Sequence, residues 1–174
     1  NVTIPFWDWT VAPCQGVRYP MAFENIASRL FNEERNSDIA DPTFTAGYMT
    51  DIIRQNPDWN KFAGGPKDQN EFFGALENPA HNTMHGAFIG GPMADPLSAA
   101  EDPIYWSFHC FIDRLWERWS KVHGVPPTCF DCELRGFPGS PSTRDVEHPE
   151  GLGYFYKFSD DEIAPLPMPG ALHT

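Results

Sequence analysis

The chain has 174 residues, enough for one ordinary domain, and 41% of them are hydrophobic and 14% aromatic, with 14 Phe, 6 Trp and 5 Tyr. That apolar supply offsets chain entropy and excludes global disorder. Lys and Arg total 12 against 24 Asp and Glu, and a formal net charge of −12 argues against phosphate backbones and anionic lipid as partners. No stretch approaches the roughly 18 apolar residues of a membrane-spanning helix.

The chain opens at Asn1 with no basic or signal-like hydrophobic run. Asn1-Val2-Thr3 is a glycosylation sequon, which favours a secreted or otherwise extracytoplasmic protein. Residues 21–35 place Phe23, Ile26, Leu30 and Phe31 near helical spacing and read as a helix with weak punctuation. A second helix is predicted over 42–55, from Pro42 through Phe44, Tyr48, Ile52 and Ile53 to the stop at Pro57. Between Asn70 and Phe88 the pattern breaks at Pro79, which predicts one short helix before it and another starting at it, ended by Gly90-Gly91-Pro92. The strongest pattern is 102–122: Asp102-Pro103 starts it, Ile104, Phe108, Phe111, Ile112, Leu115, Trp116 and Trp119 form its apolar stripe, and Gly124 and Pro126 stop it. Beyond residue 124 the chain reads as loop with one strand at 153–158. The fold class is therefore mainly α, a helical bundle with long irregular loops, and no repeat or domain boundary interrupts 1–174.

Of the four cysteines, Cys129 and Cys132 form a lone C-x-x-C, while Cys14 and Cys110 stand apart. A structural zinc site needs a second such pair, so a local disulfide or free thiols is the plainer reading. His81 and His85 are four apart, and on a helix both imidazoles lie on one face where they can grip a metal ion. Chance produces such a pair easily. His109 adds weight because it sits in the strongest helix, on the Phe108/Ile112/Trp116 side, and two antiparallel helices can bring it opposite the pair; taken alone it is more simply a satisfied core histidine. Three imidazoles with no thiolate or carboxylate suit copper or a borderline divalent ion and leave coordination positions open.

The run ENPAHNTMHGAFIGGPM, followed by EDPIYWSFHCFIDRLWERW, resembles the second copper-binding half of the type 3 copper proteins: tyrosinases, catechol oxidases and molluscan haemocyanins. Residues 3–9, Thr-Ile-Pro-Phe-Trp-Asp-Trp, are similar to the segment that follows the family's first copper half, and 152–156 to its closing Tyr-x-Tyr signature. The resemblance implies a copper-binding helical core with His81, His85 and His109 as the ligands of one copper. It implies that Glu77 and Asn82 hold a water that helps deprotonate a phenol, although Glu77 as a helix-start carboxylate explains itself equally well. Asp113 and Arg114 match a pair behind the third ligand, and Met93 matches a turn near the substrate entrance, where plain packing is an equal explanation.

Two departures stand out. The family usually carries two adjacent histidines where this chain has Phe108-His109, and the first-copper portion has no counterpart, since His123, His148 and His173 lack ligand spacing. The resemblance therefore implies that 1–174 is the second-copper portion of a tyrosinase-like domain, partnered by a first-copper segment or chain. Together they would oxidise phenols and catechols to quinones with dioxygen. The competing readings are a mononuclear three-histidine metalloenzyme using Glu77 as general base for hydrolysis, and a non-enzymatic oxygen carrier or inactive copper protein.

Overall fold

Among the residues that the computed structural model describes, 3–11, 19–37, 44–64, 73–124 and 132–164, helices carry the framework and no strand occurs. Pairing of the β type is limited there to two isolated bridges, Gly64 with Phe73 and Glu133 with Ser142. The sequon's Asn1, Pro42, Cys14, Cys129 and His173 lie outside the described residues. No helix among those described is long and apolar enough to cross a membrane. The chain forms two units, Asn1–Asp113 and Arg114–Thr174.

In the first unit, α1 (Met21–Glu24), α2 (Ala46–Gln55) and α3 (Trp59–Ala63) are followed by two widely wound helical stretches, Leu76–His81 and Met84–Ile89. Next come the tight turns Gly91–Ala94 and Ala99–Glu101 and the first half of α4 (Ile104–His123). Thr45 caps α2 by accepting the Tyr48 amide at 3.1 Å, so the helix begins three or four residues later than Pro42 suggested. Its buried face is Met49, Ile52 and Ile53. Asp102 starts α4 by accepting the Ile104 amide at 3.0 Å, as its Asp-Pro punctuation predicted. The α4 stripe is buried at Ile104, Phe108 and Phe111, and the extended N-terminal segment docks on it. The Trp7 amide donates to the Ser107 carbonyl at 2.9 Å, and Trp9 stands edge-on to Phe111 with ring centres 4.6 Å apart.

The helix expected over 21–35 is corrected to the four residues of α1 followed by turns, with Ile26 81% exposed. Side chains there outcompete the helix for backbone donors. Asn25 accepts the Ala27 amide at 2.9 Å, Ser28 the Leu30 amide at 3.1 Å, and Asn32 the Glu34 amide at 3.0 Å. The loop is then pinned from within by Arg35, which donates to the Phe23 and Leu30 carbonyls at 2.9 and 2.8 Å.

Gly90 closes the second histidine-bearing stretch at φ +67°, ψ −157°, a region nearly confined to glycine. A Cβ there would sit 2.4 Å from the Asn36 amide nitrogen. Asn36 is held in place, because its backbone N–H donates to Ile89 at 2.8 Å and its side chain to Ala87 at 3.0 Å. Gly90→Ala is therefore expected to cost about 1–3 kcal/mol in urea unfolding, and removing the Asn36 side chain as well should recover only the part due to the clash.

In the second unit, the latter half of α4 is joined by the turns Arg144–Val146 and Pro149–Leu152 and by α5 (Asp160–Ile163). The strand expected at 153–158 is corrected to extended chain with no ladder. Its exposure alternates as a strand's would, but among the described residues no second strand lies beside it, and α4 side chains take up its polar groups instead. Arg114 donates to the Lys157 carbonyl at 3.2 Å and stacks 4.6 Å from the Phe158 ring centre, and Arg118 donates to the Glu162 carbonyl at 2.8 Å. Tyr154 and Tyr156, the expected signature tyrosines, meet edge to face.

Glu162 accepts from Arg114 at 2.7 Å and from the Ser159 amide at 2.9 Å. Partial burial pushes its pKa up, but the Ser159 and Arg114 contacts outweigh this and hold it below the ordinary 4.5. The folded value lies below the unfolded one, so this stabilisation is present above about pH 4.5 and lost as pH falls through the folded value. Protection factors of the 157–163 amides, which are exchange rates corrected for the intrinsic pH dependence, are expected to fall with acidification in that range, and Glu162→Gln should remove that fall.

Candidate metal centre

The backbone breaks at Asn78, whose φ −130° and ψ 124° are extended, and Pro79 restarts the helical course that carries His81 and His85. This is the interruption that the proline predicted. Winding is wider than in an α-helix: the Asn82 amide reaches back to the Glu77 carbonyl, and Gly90 to His85 at 3.1 Å. Such wide turns recur at functional sites. Across from this stretch, α4 presents His109. The Nε2 atom of His109 lies 3.2 Å from that of His81 and 3.3 Å from that of His85.

The outer nitrogens decide what these contacts mean. His85 Nδ1 is 2.8 Å from the Met93 carbonyl and His109 Nδ1 is 2.9 Å from the Tyr105 carbonyl. Carbonyls only accept, so both rings carry their proton on Nδ1 and turn an Nε2 lone pair inwards. His81 Nδ1 lies 3.0 Å from the Glu77 carboxylate but makes no hydrogen bond to it. The inward lone pairs of His85 and His109, 3.3 Å apart, repel one another unless a cation lies between them. Imidazole–metal bonds of about 2.0–2.1 Å place tetrahedral ligand atoms about 3.3 Å apart, so the observed separations fit a shared ion without rearrangement. Together the three residues form a group able to hold a metal.

Electrostatics agree. Burial, and then the neighbouring His85, lower the His81 pKa from 6.5 to about 4, partly offset by the Asn82 side chain. Burial likewise lowers His109 to about 4, opposed by the Tyr105 carbonyl. Both rings are neutral ligands at pH 7. Phe108 is fully buried and packs against two of them, stacked on His81 at 5.5 Å and edge-on to His85 at 5.0 Å. The position where the family usually has histidine therefore acts as an apolar wedge in this chain.

Glu77 lies beside the outer nitrogen of His81, and burial raises its pKa while His85 opposes the rise. Asn82 is exposed next to the same ring. Met93 is buried, and its contribution is the backbone carbonyl that orients His85. Arg114, expected behind the third ligand, engages Glu162, while Asp113 raises the pKa of the Cys110 thiol after burial does. The orienting carbonyls of Met93 and Tyr105 were missed from sequence. Tyr105 is four residues before His109, the ordinary reach of a side chain to the preceding turn, whereas only the Gly90-Gly91 pair hinted at the turn that presents Met93.

Residues 14–122 match the family model described as the common central domain of tyrosinase. A tyrosinase of Hahella sp. is 36% identical over 92 residues, covering 48% of this chain and 20% of its own length. The chloroplastic polyphenol oxidase of Spinacia oleracea is 26% identical over 95% of this chain and 30% of its own. Hemocyanin 1 of Megathura crenulata is 28% identical over 77% of this chain. The structure of latent apple tyrosinase superposes with a TM-score of 0.65 over 90% of this chain and 42% of its own, at 22% identity, which supports the helical fold. The chain thus spans less than half the length of these relatives. With its central-domain match covering most of the chain, and copper the cofactor of the proteins so matched, this chain belongs to the tyrosinase family.

Proposed function

We propose that this chain supplies one copper site of a polyphenol oxidase acting on phenols and catechols with dioxygen. The observation that carries this reading is the convergence of the His81 and His85 Nε2 atoms on that of His109, at 3.2 and 3.3 Å, with His85 and His109 fixed from behind by backbone carbonyls. His81, His85 and His109 would hold the copper, which supplies the exchange of electrons between phenol and dioxygen. The chain's own contribution is to orient the rings and, through burial, to keep His81 and His109 neutral. Glu77, whose raised pKa makes it a better proton acceptor than an ordinary glutamate, takes the phenolic proton through a water shared with Asn82.

A first-copper segment or chain completes the site in this reading. Ile4, Phe6, Phe73 and Trp106 in the first unit are 42–64% exposed and offer it apolar surface. A location outside the cytoplasm is supported by Cys132, which is disulfide-bonded.

Glu77→Gln in the complete, copper-loaded protein tests the proton role. Monophenol turnover should fall at least tenfold more than catechol turnover, because a phenol of pKa near 10 must lose its proton at neutral pH, with copper content unchanged. If Glu77 only orients His81, copper content falls and both substrates lose alike. The haemocyanin match keeps an oxygen-carrier reading in view; reversible oxygenation without phenol turnover would establish it. A single bound metal with hydrolytic activity would establish the mononuclear reading.

A further inference from the structure

Within the second unit, Glu117, His148 and Glu150 each bring one ligand atom within 4.8 Å of the others. Glu117 comes from α4 and is 2% exposed, while His148 and Glu150 stand exposed around the Pro149–Leu152 turn. Lys121 takes Oε1 of Glu117 at 2.7 Å and approaches Glu150 at 3.8 Å. Oε2 of Glu117 is buried and has no hydrogen-bond donor. Burying a carboxylate oxygen in that state is costly, and a single ammonium on the other oxygen relieves only part of the cost. A cation shared with His148 and Glu150 would relieve it.

We propose that Glu117, His148 and Glu150 form a divalent-cation site of the zinc type that ties the 148–150 segment to α4. One imidazole with two carboxylates is the donor set of a borderline ion; calcium and magnesium prefer oxygen alone, and copper(I) prefers sulfur. Zinc bonds of about 2.0–2.2 Å require ligand atoms about 3.5 Å apart. The two exposed side chains make that closure by rotation, against a Glu117 already fixed by burial. Lys121 is then the competitor that the ion displaces from the carboxylates.

Calorimetric titration of the full chain with zinc chloride tests this, alongside the zinc-induced shift in unfolding temperature. The three-histidine centre also takes zinc, so the expected wild-type result is two equivalents. His148→Ala and Glu150→Gln, both at exposed positions, should each lose one equivalent or weaken it at least tenfold, leave the other unchanged, and shrink the thermal shift. Lys121→Ala should tighten the second equivalent severalfold by removing the competing ammonium. Identical stoichiometry and thermal shift in wild type, His148→Ala and Glu150→Gln overturn the proposal, as does a second equivalent weaker than about millimolar.

Discussion

His109→Ala is expected to abolish copper retention rather than merely weaken it. Outer partners of metal-bound histidines are worth about 10–100-fold in affinity, so loss of a ligand should exceed 100-fold. It also leaves His81 and His85, whose ring centres are 4.5 Å apart, without the third lone pair that closes the site. Copper content after dialysis measures this directly, and phenol oxidation in the complete protein should disappear with it. His109→Gln keeps a polar side chain of similar reach yet lacks the imidazole nitrogen, and it should fail equally. The fold should survive both changes, because His109 is only half-buried and the stripe beside it, Ile104, Phe108 and Phe111, carries the packing. Copper bound at wild-type level by the His109→Ala chain would remove this residue from the ligand set.

The same stripe explains how far the sequence could be read. The apolar run from Ile104 to Trp119 has helical period, an Asp-Pro start and a glycine stop, and α4 follows it to within two residues at either end. Pro79 likewise marked the break before the histidine-bearing stretch. Local signals of this kind act within a few residues and are visible in one dimension. Residues 21–35 failed because helical spacing of four apolar side chains was weaker than asparagine and serine side chains bonding their own backbone. At 153–158 alternation was real, but a strand needs a neighbour, and periodicity carries no information about partners. The three-histidine group was legible because two of its members lie on one short stretch and motifs that resemble the family's frame the third. Glu117, His148 and Glu150 were not, since their sequence spacing has no metal-site pattern and only folding brings them together.

The largest stability effect is expected where the first unit buries a charge pair. Arg35 and Asp102 have side chains 2% and 0% exposed. They meet through a bidentate contact, with Arg35 Nε 2.9 Å from Asp102 Oδ2 and a second bond between Nη2 and Oδ1. Asp102 also accepts from Asn32 at 3.1 Å and from the Ile104 amide at 3.0 Å, while Arg35 holds the Phe23 and Leu30 carbonyls. One pair therefore joins the turn-rich 23–36 loop to the start of the helix that presents His109. Arg35→Ala leaves a carboxylate buried without its counter-ion, and such a loss costs about 3–5 kcal/mol, or roughly 10 °C in melting temperature for a domain of this size. Asp102→Asn keeps the shape and an acceptor oxygen but strands the guanidinium, so its cost should be comparable. Because each single change is penalised chiefly for the charge it leaves behind, Arg35→Ala combined with Asp102→Asn should cost less than the two single changes added together. Strict additivity would mean that the two side chains act separately, each through its own backbone contacts, and that the ion pair itself contributes nothing.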